Sequence, residues 1–413
     1  MQSRVSGSSR LAYLDGLRGW MALVVLLAHL FRAWLLDATQ IQAQGMGLVE
    51  FLYAWTPLGW TADGRRAVHI FFVISGVVLA YPVLRSAKPF RLVAAMAVWR
   101  YPRLTVPILA SCLITWGLLA GGGMANVAAA ARHAHAGWWA DLYAFPVDFL
   151  DMLSFSLQRT YVYTERSWNV VLWTMQIELA GSFMIFALLA FVPRRWLRLA
   201  IAAALALYWS NDAGMDGYYV GFFVGYGLAE LLAAAERSPE AAARLEAARP
   251  LGGVCIVAAL ALCQAQQAAL LDGRAGSGAM LQHNVIAALA VIGVLLLKPL
   301  REALSNPLSR FLGRISFGLY LTHIVVICSF SSWLYLALVG ALPYGLVVPL
   351  VGVVSVAAAI GVAWLFSLVV EERLLSAIKR PITAAVRLAV DEAERAFRGL
   401  EAARQRLSEM RSQ

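Results

Sequence analysis

The sequence predicts an all-α fold, a polytopic membrane protein with about ten transmembrane helices. Three observations predict it. Of 413 residues, 61% are hydrophobic and only 14% charged, more apolar surface than one soluble core could hide. The apolar residues recur in runs of about 17 to 25, the length that crosses hydrocarbon as a helix. Arginine and lysine gather in alternate connections between those runs, as they do on the cytoplasmic side of membrane proteins.

The expected spans are, in order, Leu17–Leu36, Val68–Leu84, Leu104–Ala120, Trp168–Val192, Leu197–Trp209, Tyr218–Ala235, Leu251–Leu271, Leu281–Leu297, Phe317–Val339 and Leu342–Val369. Each is bounded by charged residues, proline or a turn-forming cluster. Leu197–Trp209 is short for a crossing, yet dropping it would invert every later loop and spoil the charge pattern. With the N-terminus inside, the cytoplasmic segments hold Arg4 and Arg10, then Arg85, Lys88, Arg91, Arg100 and Arg103, then Arg194, Arg195 and Arg198, then Lys298, Arg301, Arg310 and Arg314. The opposite loops hold Arg65, Arg66, Arg132, Arg159, Arg166 and Arg274, offset by Asp141, Asp148, Asp151, Asp212, Asp216 and Asp272. A multi-pass protein of a plasma or inner membrane results, with both termini cytoplasmic. The first apolar run is long and continuous, so it reads as a retained anchor rather than a cleavable signal. The formal charge of +10 is then mostly topology, and no nucleic-acid partner is needed to explain it.

Cys112, Cys255, Cys263 and Cys328 fall in or at the ends of spans, without disulfide or metal spacing. No metal is expected. Phosphate-loop, nucleophile-elbow and HExxH motifs are absent.

Chemistry enters with Arg18 and His29, eleven residues apart in LDGLRGWMALVVLLAHLF. Ionisable side chains inside a bilayer are costly and mark functional tracks. Eleven helical residues turn about 20° past three full turns, so both project from one face about 16 Å apart. Asp15 falls near the same stripe and could neutralise the guanidinium at its mouth. In the second span, Ser75 and Gly76 interrupt a bulky row and would let a helix or a ligand approach. Next comes a loop with Arg85, Lys88, Arg91, Arg100 and Arg103 and no acid, ending WRYPRLTVP. Arg100 and Arg103 could hold phosphate groups, or simply reflect topology and lipid head-group contact. Glu178 lies about 15 Å below the outer edge of its span and His29 about 10 Å below the same surface, depths at which the two could hydrogen-bond. The ninth span places Ser316, Tyr320 and His323 at i, i+4 and i+7, a stripe that could border the route toward His29 or be merely structural.

Arg18-x10-His29, FFVISG at Phe71 to Gly76, WRYPRLTVP, the pattern of Trp168, Trp173 and Glu178, and ISFGLYLTH at Ile315 to His323 together resemble the acyltransferase 3 family of integral-membrane acyltransferases. The likeness spans about Leu11 to Glu372. One departure stands out: family members often close the last span with Glu-x-Pro, whereas this chain reads VVEERLLSAIKR, with Glu371 and Glu372 and no proline before Pro381. The resemblance implies a transmembrane acyltransferase domain over residues 1–372, and the composition of the remainder reads as a cytoplasmic amphipathic helix over 373–413. It implies transfer of an acyl group, commonly acetyl, from cytoplasmic acyl-CoA (acetyl-CoA) to a hydroxyl of a glycan, lipid or small molecule. By position, His29 is then catalytic with Arg18 its companion, and Arg100 and Arg103 contact CoA. Glu178 is placed in the catalytic group, and Asp15, Tyr320 and His323 along the donor's path.

An imidazole taken out of water favours its neutral form and can accept a proton from an attacking hydroxyl. Direct transfer and a transient acyl-His29 both remain open. The outer loop from Gly121 to Ser167 carries His133, His135, Trp138, Trp139, Tyr161 and Tyr163, suited to stacking sugars or to an interfacial aromatic belt. Beyond Val370, Val386, Ala393, Phe397, Leu400 and Leu407 recur at three- and four-residue steps. That helix could lie on membrane lipids, pair with a second copy in a homo-oligomer, or stay solvated. A proton-coupled transporter or permease is the alternative reading of the buried polar residues, weakened by the lack of matching broken spans in the two halves.

Overall fold

The computed structural model describes residues 11–34, 59–60, 63–133, 138–210, 212, 214–271, 279–386, 388–390, 392 and 395. Among them every regular element is helical. The principal helices are α1 (Ala12–Trp34), α2 (Gly64–Leu84), α3 (Pro89–Ala120), α4 (Asn126–Arg132), α5 (Phe149–Ser154), α6 (Trp173–Phe191), α7 (Arg195–Ser210), α8 (Tyr219–Arg237), α9 (Pro239–Ala247), α10 (Leu251–Leu271), α11 (Ala279–Leu296), α12 (Lys298–Ala303), α13 (Pro307–Val326), α14 (Ser332–Leu338) and α15 (Tyr344–Phe366). Eight of the described helical segments are long and apolar enough to cross a membrane, or nine when α9 and α10, bent by 51° at their junction, count as one span. The bend falls at Pro250, which cannot continue the helix that precedes it.

Two expected spans differ from the structure. Leu197–Trp209 forms α7, a helix of 16 residues and so about 24 Å long, shorter than any of the eight candidate spans among the described residues. It is tied down at its start, where Arg198 donates to Tyr226 and Glu230 at 3.0 and 3.1 Å and Arg195 donates to Glu230 at 3.1 Å. The third span was expected from Leu104, but α3 begins at Pro89 and runs 32 residues. Arg91, Arg100 and Arg103 therefore sit on a helix rather than in a loop, with Arg100 about 16 Å along it. Charge counting had ended the apolar run near Arg100, a residue that Glu178 of a neighbouring helix pairs.

The bundle is held at the site by two close helix crossings that glycine makes possible. A Cβ on Gly19 would strike the Gly313 backbone nitrogen and Leu312, and one on Gly313 would strike the Asp15 carbonyl. A Cβ on Gly16 would strike the Leu304 carbonyl. α1 and α13 thus lie backbone against backbone, with Trp20 donating to Ser309 at 3.0 Å. The second crossing joins α2 to α8, where Gly76 and Gly225 leave no room for a side chain on either helix. Gly76 is spent on packing, whereas Ser75 beside it turns toward the polar interior. Beyond α15 the helix continues through a π-helical stretch, Ser367–Leu374, and onward to residue 386. It passes the expected domain boundary at 372–373 without a break. Val386 is half-buried, and Ala393, Phe397, Leu400 and Leu407 lie outside the described residues.

Replacing Gly313 with leucine should force α1 and α13 apart at a cost of about 1–3 kcal/mol. The check is thermal unfolding in detergent, where Gly313→Leu should melt below wild type and Gly117→Leu, at a glycine with open space around it, should not.

Candidate active site

α1 is one uninterrupted helix, so the eleven-residue spacing holds and Arg18 and His29 share a face. Both keep accessible surface while Leu14, Leu17, Gly19, Ala22, Val25, Leu26 and Leu30 around them are buried. At the His29 end, its Nδ1 lies 2.8 Å from the Val25 carbonyl oxygen and 3.2 Å from Nε2 of His323. Trp138 meets the imidazole edge-to-face with ring centroids 5.2 Å apart, and the Arg32 guanidinium lies over that indole at 5.9 Å.

Glu178 does not meet His29. Its carboxylate forms an ion pair with Arg100 of α3 and accepts from Ser75 Oγ at 2.9 and 3.2 Å. The expected common depth with His29 is not met, since Glu178 sits with Arg100 and Arg103 at the Arg18 end of the track. A carboxylate away from water takes the strongest cation in reach, and α3 brings that cation to the same level. His29 in turn finds His323, which the sequence placed on a stripe bordering the route rather than against the imidazole.

Arg103 lies one turn from Arg100 and within electrostatic reach of Arg18, Arg100, Glu178 and Glu371. Asp15 faces Arg18 and Arg103. Three arginines and three carboxylates from α1, α3, α6 and the segment after α15 therefore converge at one end of the track. Glu371 accepts from the Gly318 backbone at 3.1 Å and from Ser367 Oγ at 2.8 Å, while Glu372 turns outward to Arg314 at 3.4 Å. Glu371 was the member that sequence reasoning left without a role, and the departure from Glu-x-Pro was the signal that could have found it. A pocket of about 190 Å³ opens here, lined by Trp99, Arg103, Phe317, Glu371, Leu375, Ser376 and Lys379.

Between the two ends stands Tyr320. Its hydroxyl lies 2.8 Å from both Thr174 Oγ1 and the Val171 carbonyl, which braces α13 against the start of α6. The hydroxyl is thereby satisfied within the protein. Its ring meets Phe71 at 6.1 Å and His323 at 6.1 Å, and Phe71 stands one turn from Ser75. A continuous run of side chains thus links His29 through His323, Tyr320, Phe71 and Ser75 to Glu178 and Arg100. Ser316 is spent locally, donating to the Gly313 carbonyl at 2.9 Å.

A family profile described as an acyltransferase domain matches residues 11–368. The chain belongs to the acyltransferase 3 family. It is a multi-pass membrane acyltransferase. Among curated proteins it is similar to acyltransferase clz18 of Cochliobolus lunatus, 23% identical over 402 residues that cover 78% of this chain and 85% of that protein. No solved structure matches it.

The outer loop behaves as packing more than as a belt. Trp139 is fully buried and donates to the Ala33 carbonyl at 2.7 Å, and Trp168 is fully buried and donates to Asp151 at 2.7 Å. His133 sits among Trp34, Tyr335 and Tyr344, Tyr161 pairs with Thr105 at 2.8 Å, and Tyr163 is exposed. His135 lies outside the described residues.

Because Arg100 and Glu178 are both largely buried, removing one charge should cost more than removing both. Glu178→Gln and Arg100→Gln should each lower stability by about 3–5 kcal/mol, and the double variant should recover much of that loss. Unfolding of the three variants in detergent checks the cycle.

Proposed function

We propose that this acyltransferase moves an acyl group, commonly acetyl, from cytoplasmic acyl-CoA to a hydroxyl of a glycan, lipid or small molecule, with His29 as the base. The observation that carries the reading is Arg18 and His29 on one helix face, both with accessible surface, joined by a run of side chains to an arginine cluster beside an open pocket. On this reading the N-terminus is cytoplasmic and the arginine end is the donor's mouth.

The residues divide the work by what they have left to offer. Arg100 is committed to Glu178, so Arg103 and Lys379 at the pocket meet the donor's phosphates, with Arg18 deeper along the same line. Guanidinium groups suit that task, since they present several N–H donors in a fixed plane to phosphate oxygens. Asp15 and Glu371 keep the cluster from repelling itself before the donor arrives. The pantetheine arm then carries the thioester toward His29, and the nucleotide never enters the hydrocarbon.

At His29 the acceptor hydroxyl attacks the thioester carbonyl while the imidazole takes its proton. A C–O bond forms, the C–S bond breaks, and the proton leaves with the CoA thiolate as free thiol. A transient acyl-imidazole would use the same ring, with the acceptor resolving it in a second step. The Trp138 indole and Arg32 guanidinium lie beside the base, where an acceptor approaching from the opposite membrane face would pass.

The test is turnover of radiolabelled acetyl-CoA by the purified full chain with a pool of hydroxyl acceptors. His29→Ala should lose about 10²–10⁴-fold in kcat, and Arg18→Ala should fall sharply as well. Full transfer by both variants would remove the assignment. Solute uptake into vesicles in the absence of any acyl donor would point to transport instead.

A further inference from the structure

We infer that His323 is the positioning partner of His29: it fixes which nitrogen of the base carries the proton and accepts from that N–H as the base becomes charged. The inference rests on the reading of His29 as base and reassigns His323 from the donor path.

His323 is fully buried, so it has no surface to offer a donor substrate. Its Nδ1 lies 2.9 Å from the carbonyl oxygen of Leu319, one turn earlier on α13. A carbonyl can only accept, so Nδ1 bears the proton and Nε2 is a bare lone pair. That lone pair faces His29 Nδ1 at 3.2 Å. His29 Nδ1 also stands 2.8 Å from the Val25 carbonyl, another obligate acceptor. One assignment satisfies all three contacts: His29 Nδ1–H donates to Val25 and to His323 together. The opposite tautomer would set a lone pair on His29 against both acceptors at once.

The consequence falls on the other nitrogen. With Nδ1 protonated, His29 Nε2 holds a lone pair, and no described residue hydrogen-bonds it. This is the atom free to receive a proton or an acyl group. As it does so the ring becomes cationic, and the Nδ1–H bonds become charge-assisted and stronger. His323 thus does for His29 what a buried carboxylate does for the histidine of a hydrolase triad, but as a neutral acceptor. In hydrocarbon a neutral partner costs far less to desolvate than an anion.

Glutamine can hold an acceptor oxygen near the position of histidine Nε2, and leucine cannot. Two measurements on the purified full chain use that difference. The first is steady-state turnover of [14C]acetyl-CoA with hydroxyl acceptors. The second is the rate at which diethyl pyrocarbonate carbethoxylates His29, read by mass spectrometry, which needs no acceptor and reports the free nitrogen directly. His323→Leu should lower kcat and the carbethoxylation rate about ten- to hundredfold with KM for acetyl-CoA unchanged. His323→Gln should recover most of both. An unchanged carbethoxylation rate in His323→Leu overturns the inference, as does His323→Gln falling as far as His323→Leu, or a raised KM with kcat intact. Full turnover by His29→Ala would overturn the base assignment itself, a failure distinct from any of these because the carbethoxylation arm reads the pair alone.

Discussion

Hydrocarbon offers no hydrogen bonds, so every polar group inside the bundle must find its partner within the protein. That constraint organises the whole interior. Glu230 collects Arg195, Arg198 and Tyr226. Glu236 takes Tyr81 at 2.5 Å and pairs with Arg85. Arg66 bonds Gln266 and the Cys263 carbonyl, each at 3.2 Å, and His69 meets Asn284 at 2.8 Å. These groups are spent on holding helices together. Single buried polar atoms elsewhere also lack a partner, among them Arg66 Nη1, His69 Nε2 and Arg301 Nε. What sets the candidate site apart is that Arg18 and Arg103, whose guanidinium groups no described residue hydrogen-bonds, and Nε2 of His29 lie along one track.

Much of this was legible in the sequence, for a definite reason. A 3.6-residue period fixes the height of a side chain along its helix and its direction about that helix's own axis. Arg18, His29 and the polar stripe of Ser316, Tyr320 and His323 could therefore be placed on faces before any packing was known. What the period does not carry is which neighbour a face meets. Glu178 was expected level with His29 and instead took Arg100 at the Arg18 end of the track, and His323 was free to be anything until α1 lay against α13. The 32-residue reach of α3 was hidden by the rule that ends a span at its charges, because Arg100 looks like the edge of a span until Glu178 on another helix compensates it. The short α7 shows the converse, an apolar run below the usual spanning length that nevertheless packs lengthwise along α8, from Glu230 to Tyr219.

Two widened turns sit where partners must be exchanged between helices. The π-helical turn Ile327–Ser331 follows His323 by one helical turn, and the stretch Ser367–Leu374 contains Glu371. Such turns loosen the regular ladder and are frequent at functional sites. At the second, the Gly318 N–H of α13 donates to the Glu371 side chain. The absence of a Cβ matters there, since one on Gly318 would approach Ser367 Oγ at 2.6 Å. The carboxylate is thereby delivered into the cluster by a helix that would otherwise run past it.

How Glu371 is held decides what Arg103 can do. A carboxylate hydrogen-bonded directly to a guanidinium neutralises it and also occupies the N–H groups that would bind a phosphate, as Glu178 does to Arg100. Glu371 instead spends its oxygen Oε1 on two neutral donors, Gly318 N and Ser367 Oγ, and acts on Arg103 only through its field. The field of a charge falls slowly with distance at low dielectric, whereas a hydrogen bond needs contact. Compensation at a distance thus lowers the cost of keeping Arg103 away from bulk water without consuming its donors. An anionic ligand entering the pocket would then gain those N–H bonds without first breaking an ion pair. That division of labour depends on where the carboxylate's hydrogen bonds go and not on the residue that follows it.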